Sequence, residues 1–247
     1  MERKNKFFGL GKTLAAGALA LAMGPGSALA TATFDGFATT TLSLEYGGDI
    51  LSLGGAVDQN DSYTDEQANA TASILADFVS ADDFGASHDV QIQGEANPTG
   101  SGSVASAGVF TSTSVLLENT GTGDASVFAG FDWLALASAT LDDLVNESAG
   151  VSVSIVLGTF DFFTGVTTEL VNESIDLLTA GGDSLSGQFS EELVVGAGEF
   201  LGLYVDVNVE GIAISVRDPG QGVPVPATLA LLALGFIGLA ARRKVAA

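Results

Sequence analysis

Val151-Ser-Val-Ser-Ile-Val-Leu157 and Leu201-Gly-Leu-Tyr-Val-Asp-Val-Asn-Val209 put a valine, isoleucine or leucine at every second position. An apolar repeat of two buries one face of a strand and leaves the other to solvent; an amphipathic helix needs a repeat near 3.6. Thr39-Thr-Thr-Leu-Ser-Leu-Glu-Tyr46 does the same with Leu42, Leu44 and Tyr46, and His88-Asp-Val-Gln-Ile-Gln93 with Val90 and Ile92. Gly, Asn and Asp recur between these runs, about every ten residues, and Lys and Arg are almost absent. Half-buried antiparallel strands separated by turns predict an all-β body, an antiparallel β-sandwich of jelly-roll or Ig-like type.

Outward from these strands the pattern is less regular. Ser114 to Phe128 reads as a strand, a Gly-Asp turn and a second strand, similar to a hairpin. Gly198 to Ser215 reads as a closing strand pair. Gly94 to Gly108, small and polar with Pro98, reads as a long loop. Ser62 to Val79, with Ile74, Leu75 and Phe78 spaced for one helical face, and Ala135 to Val145 are the two places where one short helix is expected. Leu144-Val-Asn-Glu-Ser148 recurs as Leu170-Val-Asn-Glu-Ser174, but one pentapeptide does not make a repeat family.

Charge and cysteine content narrow the function. The chain has no cysteine, which excludes a disulfide scaffold, a thiolate zinc site and a cysteine nucleophile. Its net charge is −22, yet seven of its eight cations lie near the two ends. Between residues 31 and 222 only Arg217 opposes 29 of the 30 acids, so the body is near −28. Such a surface repels nucleic acid and acidic polymers, and nucleic acid is not an expected partner.

No catalytic residue is assigned. His88 beside Asp89 is the single histidine, reads as a surface or strand-edge residue, and has no nucleophile motif to serve. Acid pairs such as Asp82-Asp83, Asp142-Asp143 and Glu191-Glu192 are common, as a solvated acidic face requires, although two carboxylates are all a glycosidase needs. Asp58, Asn60 and Ser62 echo the alternating oxygen ligands of a calcium loop, but Tyr63 and Asn69 occupy the positions an EF-hand gives to Gly and Glu. No cofactor is expected; the acidity would attract divalent cations such as calcium, or keep the chain soluble in high salt. Trp133, Tyr46, Tyr63 and Tyr204 are candidates to stack on sugar rings, although Trp133 reads mainly as core, and Phe160-Asp-Phe-Phe163 reads as an exposed apolar turn or a buried strand end.

The two ends carry addresses. Arg3, Lys4, Lys6 and Lys12 precede an apolar, alanine-rich stretch from Leu14 to Met23, then Gly24-Pro25-Gly26 and Ala28-Leu29-Ala30. That order is a secretory signal peptide over residues 1–30, with Ala28 and Ala30 supplying the small residues for cleavage by signal peptidase. At the other end Val223-Pro224-Val225-Pro226-Ala227-Thr228 opens residues 223–247, and an apolar run from Ala227 to Ala241 follows. Having no polar face, the run predicts a transmembrane helix, stopped by Arg242, Arg243 and Lys244.

This proline turn, apolar helix and basic stop resemble the PEP-CTERM sorting signal of Gram-negative bacteria, with Val225 where that family usually has Glu. The resemblance covers about the last tenth of the chain. It implies processing by an exosortase, a membrane-embedded cysteine transpeptidase-like enzyme, after export, with membrane anchoring beforehand and the cell surface or exterior as destination. It also implies association with exopolysaccharide and biofilm matrix. The expected organisation is therefore a signal peptide at 1–30, a sandwich body at 31–222 and a sorting segment at 223–247. The function read from it is that of a non-catalytic surface or matrix protein. A carbohydrate- or calcium-binding module is the next reading, and a carboxylate-pair glycoside hydrolase the third.

Overall fold

The computed structural model describes residues 31–97 and 102–216; the signal peptide and the sorting segment lie outside them. The repeat of two is realised in long strands: β1 (Ala32–Tyr46), β2 (Ile50–Gln67), β3 (Ala70–Asp82), β4 (Gly85–Ala96), β5 (Ser103–Asn119), β6 (Ala125–Leu141), β7 (Glu147–Phe160), β8 (Thr167–Leu177), β9 (Gly181–Val195) and β10 (Phe200–Ser215). They form two five-stranded sheets with every pairing antiparallel. One sheet has the order β3-β4-β1-β6-β9 and the other β2-β5-β10-β7-β8. Their inner faces bury one core of valine, alanine and a few larger side chains, so the body is a β-sandwich.

The chain's first and last strands, β1 and β10, are the middle strands of the two sheets. Of consecutive strands only β3–β4 and β7–β8 pair with each other; every other connection carries the chain across to the facing sheet. The expected hairpin at Ser114–Phe128 is thus a crossover, since β5 and β6 belong to different sheets. Asn119 holds it. Its buried side chain donates to Gly123 O at 2.8 Å and Val195 O at 2.7 Å, and accepts from Gly121 N at 2.9 Å. Gly198 to Ser215 is likewise one long strand with its lead-in rather than a strand pair.

No helix occurs among the described residues, and the two places that suggested one show why. β3 has a register shift between Ile74 and Ala76, so Leu75 is an extra residue and the apolar spacing slips out of phase without becoming helical. Between β2 and β3 the turn is made at Ala68 and Asn69, both with positive φ. In β6, Ala135, Ala137 and Ala139 face the core, while Leu144 and Val145 stand exposed in the following turn. The loop expected at Gly94–Gly108 is mostly strand. Ala96, Ala105 and Ala107 are buried there, and their small size disguised an inward face. The repeated pentapeptide runs from the β6–β7 turn into the start of β7 in its first copy and lies within β8 in its second, which are not equivalent places.

His88 corrects another expectation: it is in the core, 1% exposed. Its Nδ1 lies 2.8 Å from the Thr40 hydroxyl and its Nε2 3.4 Å from that of Thr113. Burial disfavours the imidazolium and pulls the pKa down to about 4. Because this value lies below that of the unfolded chain, 6.5, the neutral ring favours folding above pH 6.5, and the contribution is lost as pH falls toward 4. Relative to His88→Gln, the wild type is expected to lose about 2 kcal/mol of stability between pH 7 and pH 5. Denaturant melts of both proteins at the two pH values check this, and parallel losses would rule it out.

Candidate functional site

The outer face of the β2-β5-β10-β7-β8 sheet carries an open groove of about 760 Å³. That size lies within the roughly 300–1,000 Å³ of ordinary ligand clefts. It sits toward the pole where β5 ends and β10 begins. Alternation sends Val205 and Val207 into the core and turns Tyr204 and Asp206 out into the groove. Ser112, Ser114 and Leu116 of β5 line it beside them, with Phe160 ending β7 and Thr167 opening β8. Leu53 to Ala56 and Asp58 of the edge strand β2 form the other wall.

Two bulges shape that wall. β2 slips register against β5 between Ser52 and Gly54 and again between Val57 and Gln59, and Gly54 has a φ of 97°. A bulge adds one residue and re-aims the side chains that follow. Asp58, the extra residue of the second slip, faces the groove. Asn60 opposes the buried Thr111, and its amide lies 3.2 Å from both carboxylate oxygens of Asp77 on β3, to which the NH2 donates. Ser62 opposes Val109 on that same inner side. The fold therefore separates Asp58 from Asn60 and Ser62, because their even spacing shares a face only in an unbulged strand. Among the described residues no three His, Asp or Glu side chains converge as a metal site.

The aromatic lining is fixed by glycine. The Tyr204 ring lies over Gly158, its cross-strand partner, and the Phe160 ring over Gly202. At the groove's end Phe162, Phe163 and Phe200 cluster with ring centroids 5.4–6.0 Å apart. Asp161 holds their turn by accepting from Phe163 N at 2.8 Å and Thr164 N at 2.9 Å; these bonds hold its carboxyl below the usual range. Phe160–Phe163 is thus both a strand end and an exposed turn. Tyr63 covers Gly108 farther along the outer face, Tyr46 stacks on Phe84, and Trp133 packs on Phe131 and over Gly187.

The sequence-adjacent acid pairs are not in the groove. Asp82 and Asp83 cap the β3–β4 turn, where Asp82 accepts from Phe84 N and Asp83 from Ser52 Oγ. Asp142 and Asp143 hold the β6–β7 region, accepting from Thr31 N and Val145 N respectively, and Glu191 and Glu192 are exposed on edge strand β9. The carboxylates that the fold brings together are Asp58 and Asp206, far apart in the chain. Asp206 was legible only as an outward residue two positions from Tyr204.

The C-terminal end is decided by comparison with known families. Residues 222–244 match the PEP-CTERM protein-sorting motif. The chain is an exported protein sorted by an exosortase system. That match covers Val223, Pro224, Pro226, Ala227 and Thr228 and the basic residues Arg242 to Lys244, all outside the described residues. Among the described residues no helix is long and apolar enough to cross a membrane. No curated protein matches the chain. Among solved structures the secreted serine protease VesC from Vibrio cholerae aligns at 10% identity over 72% of this chain and 47% of its own, with a TM-score of 0.16; that alignment carries no argument.

The PEP-CTERM segment follows β10, whose last residues pair with Ser103 of β5 and Glu147 of β7. Thr31 donates from its backbone N to Asp142 at this same pole, so the described body begins and ends there. Asp206 lies nine positions before Ser215, which at about 3.4 Å per residue sets the groove roughly 30 Å from the end of β10.

Asp206 is the most burdened group in the groove. Its Oδ1 is shut off from solvent and has no hydrogen-bond partner. Burial raises its pKa, the charge of Asp58 raises it further, and Ser112 works the other way. With the folded value above the unfolded 3.8, this carboxyl favours folding below that pH, and the contribution is lost as pH rises through the folded value. Asp206→Asn is therefore expected to raise the melting temperature at pH 7, by roughly 2–4 °C. Scanning calorimetry should show the gain shrinking toward pH 3; an unchanged or lower midpoint at pH 7 contradicts it.

Proposed function

We propose that the protein is a non-catalytic cell-surface or matrix protein that holds extracellular polysaccharide in the outer-face groove. It is anchored by its C-terminal apolar segment until an exosortase-type enzyme processes it. The observation that carries the reading is the groove itself. Sugar rings pack their C–H faces on aromatic rings, and Tyr204, Phe160 and Phe162 supply them. Sugar hydroxyls need donors and acceptors, and Ser112, Ser114, Thr167 and the carboxylates supply those.

Affinity electrophoresis through gels containing matrix polysaccharides tests the binding. The wild type is expected to be retarded. Phe162→Ala, which removes a ring 58% exposed in the β7–β8 turn, should weaken retardation several-fold, and Ser114→Trp, which fills the groove, should abolish it with melting unchanged. Equal mobility of all three would remove the groove from the function. Asp206 and Asp58, two carboxyl groups facing one groove, give the one observation favouring hydrolysis, since a pair of acids is what glycoside cleavage uses. Reducing-end release that Asp206→Asn eliminates would replace binding with catalysis.

The processing reading has its own measurement. In an exosortase-positive host, the intact mass of the surface form is expected to lack Thr31's upstream leader and the residues after Pro226. A surface form retaining Arg242 to Lys244 would contradict it.

A further inference from the structure

We infer that the groove selects a polysaccharide bearing free amino groups, a polymer of 2-amino-2-deoxy sugars, over its acetylated or neutral counterparts. This rests on the polysaccharide reading above and names the substrate class for the same groove. The reasoning begins with what the chain lacks. From residue 31 to 216 there is no lysine or arginine, so no side-chain cation of the described body can neutralise a carboxylate. Most of its acids stand in water, where this costs little. Asp206 is only partly in water: its Oδ1 is shut off from solvent and unpartnered, and Asp58 stands in the same groove. Asp83 lies against the β2 wall at Gly54, and Glu169 is close enough to Tyr204 to act on its hydroxyl.

Oδ1 itself is closed to solvent, so a ligand meets Asp206 at the part of the side chain that lines the groove. A cation arriving with the ligand supplies the countercharge that no side chain of the described body gives. A sugar hydroxyl gives Asp206 one neutral donor and leaves the repulsion from Asp58 in place. An ammonium gives three donors and a charge that offsets both acids, and charge-assisted hydrogen bonds are about twice as strong as neutral ones. The aromatic lining suits the same ligand, because the pyranose face packs on Tyr204 while an ammonium near Phe160 or Phe162 meets a ring face. A bare calcium ion fits less well. It takes about six to eight oxygens, and the groove offers two carboxylates and hydroxyls among apolar side chains.

The test uses isothermal titration of the secreted protein at pH 6 and fixed ionic strength. The probes are a β-linked glucosamine hexamer, the N-acetylglucosamine hexamer, a neutral glucose hexamer and calcium chloride. The glucosamine hexamer is expected to bind at least tenfold more tightly than the other two. Asp206→Asn and Asp58→Asn should each erase most of that preference, weakening the glucosamine hexamer at least tenfold and the neutral hexamers far less, and Phe162→Ala should weaken all three. Equal affinity for the free and acetylated hexamers overturns the amino-sugar inference but leaves the groove reading standing. No binding of any hexamer overturns both. A preference that survives both Asn substitutions assigns it to diffuse attraction by the acidic body, and displacement of the glucosamine hexamer by millimolar calcium but not magnesium assigns the carboxylates to an ion; either result overturns the inference.

Discussion

Phe34 is wedged between two glycines, and the sandwich depends on that contact. Its ring lies over Gly94, its partner on β4 in the same sheet, and against Gly211 of β10 in the facing sheet. Any side chain at either glycine would occupy the space of the ring. Gly36, two residues on, is pressed just as closely by Val151 and Val209 of the opposite sheet. The middle strands of the two sheets thus meet through one large side chain and the absence of others. Interiors packed to crystal-like density have no slack to absorb a change here.

The same device recurs on the outside. Tyr63 covers Gly108, Phe160 covers Gly202 and Tyr204 covers Gly158, each across a strand pair, and on the inner side of the other sheet Trp133 covers Gly187 in the same way. A glycine inside a strand costs backbone entropy and offers nothing to pack, and a ring laid across it from the neighbouring strand restores the lost contact. This explains why the glycine-rich body is mostly strand over its described residues. In the groove the pairing also has a functional side, because the rings that cover Gly158 and Gly202 are those offered to a ligand.

The period of two made β1, β4, β7 and β10 legible, since in each the inward residues are large enough to stand out from the Ser and Thr between them. Where the inward residue is Ala or Gly, as at Ala96, Ala105 and Ala107, the contrast vanishes and strand reads as loop. Bulges deceive differently. Leu75 makes a strand imitate a helix, and Asp58 breaks up a spacing that looked like an ion loop. His88 was misplaced because its two threonine partners come from β1 and β5, which no local pattern connects to it. The pairing of Asp58 with Asp206 was hidden for the same reason: it exists only in the register of β2, β5 and β10. By contrast, the C-terminal sorting motif was readable outright, because proline turn, apolar run and basic stop are all contiguous.

The central position of β10 has a consequence for how the protein can leave the cell. A chain that emerges from a translocation pore N-terminus first delivers nine strands before the middle of the second sheet. Until residues 200–215 appear, β5 and β7 each have one side of their backbone hydrogen-bonding groups without a neighbour, and the face opposite Phe34 is missing. Closure of the body therefore waits for the last strand, and the sorting segment is the next part of the chain to follow it out. Completion of the fold and presentation to the processing enzyme become nearly the same moment, and a chain cut short before β10 arrives outside as an open pair of sheets.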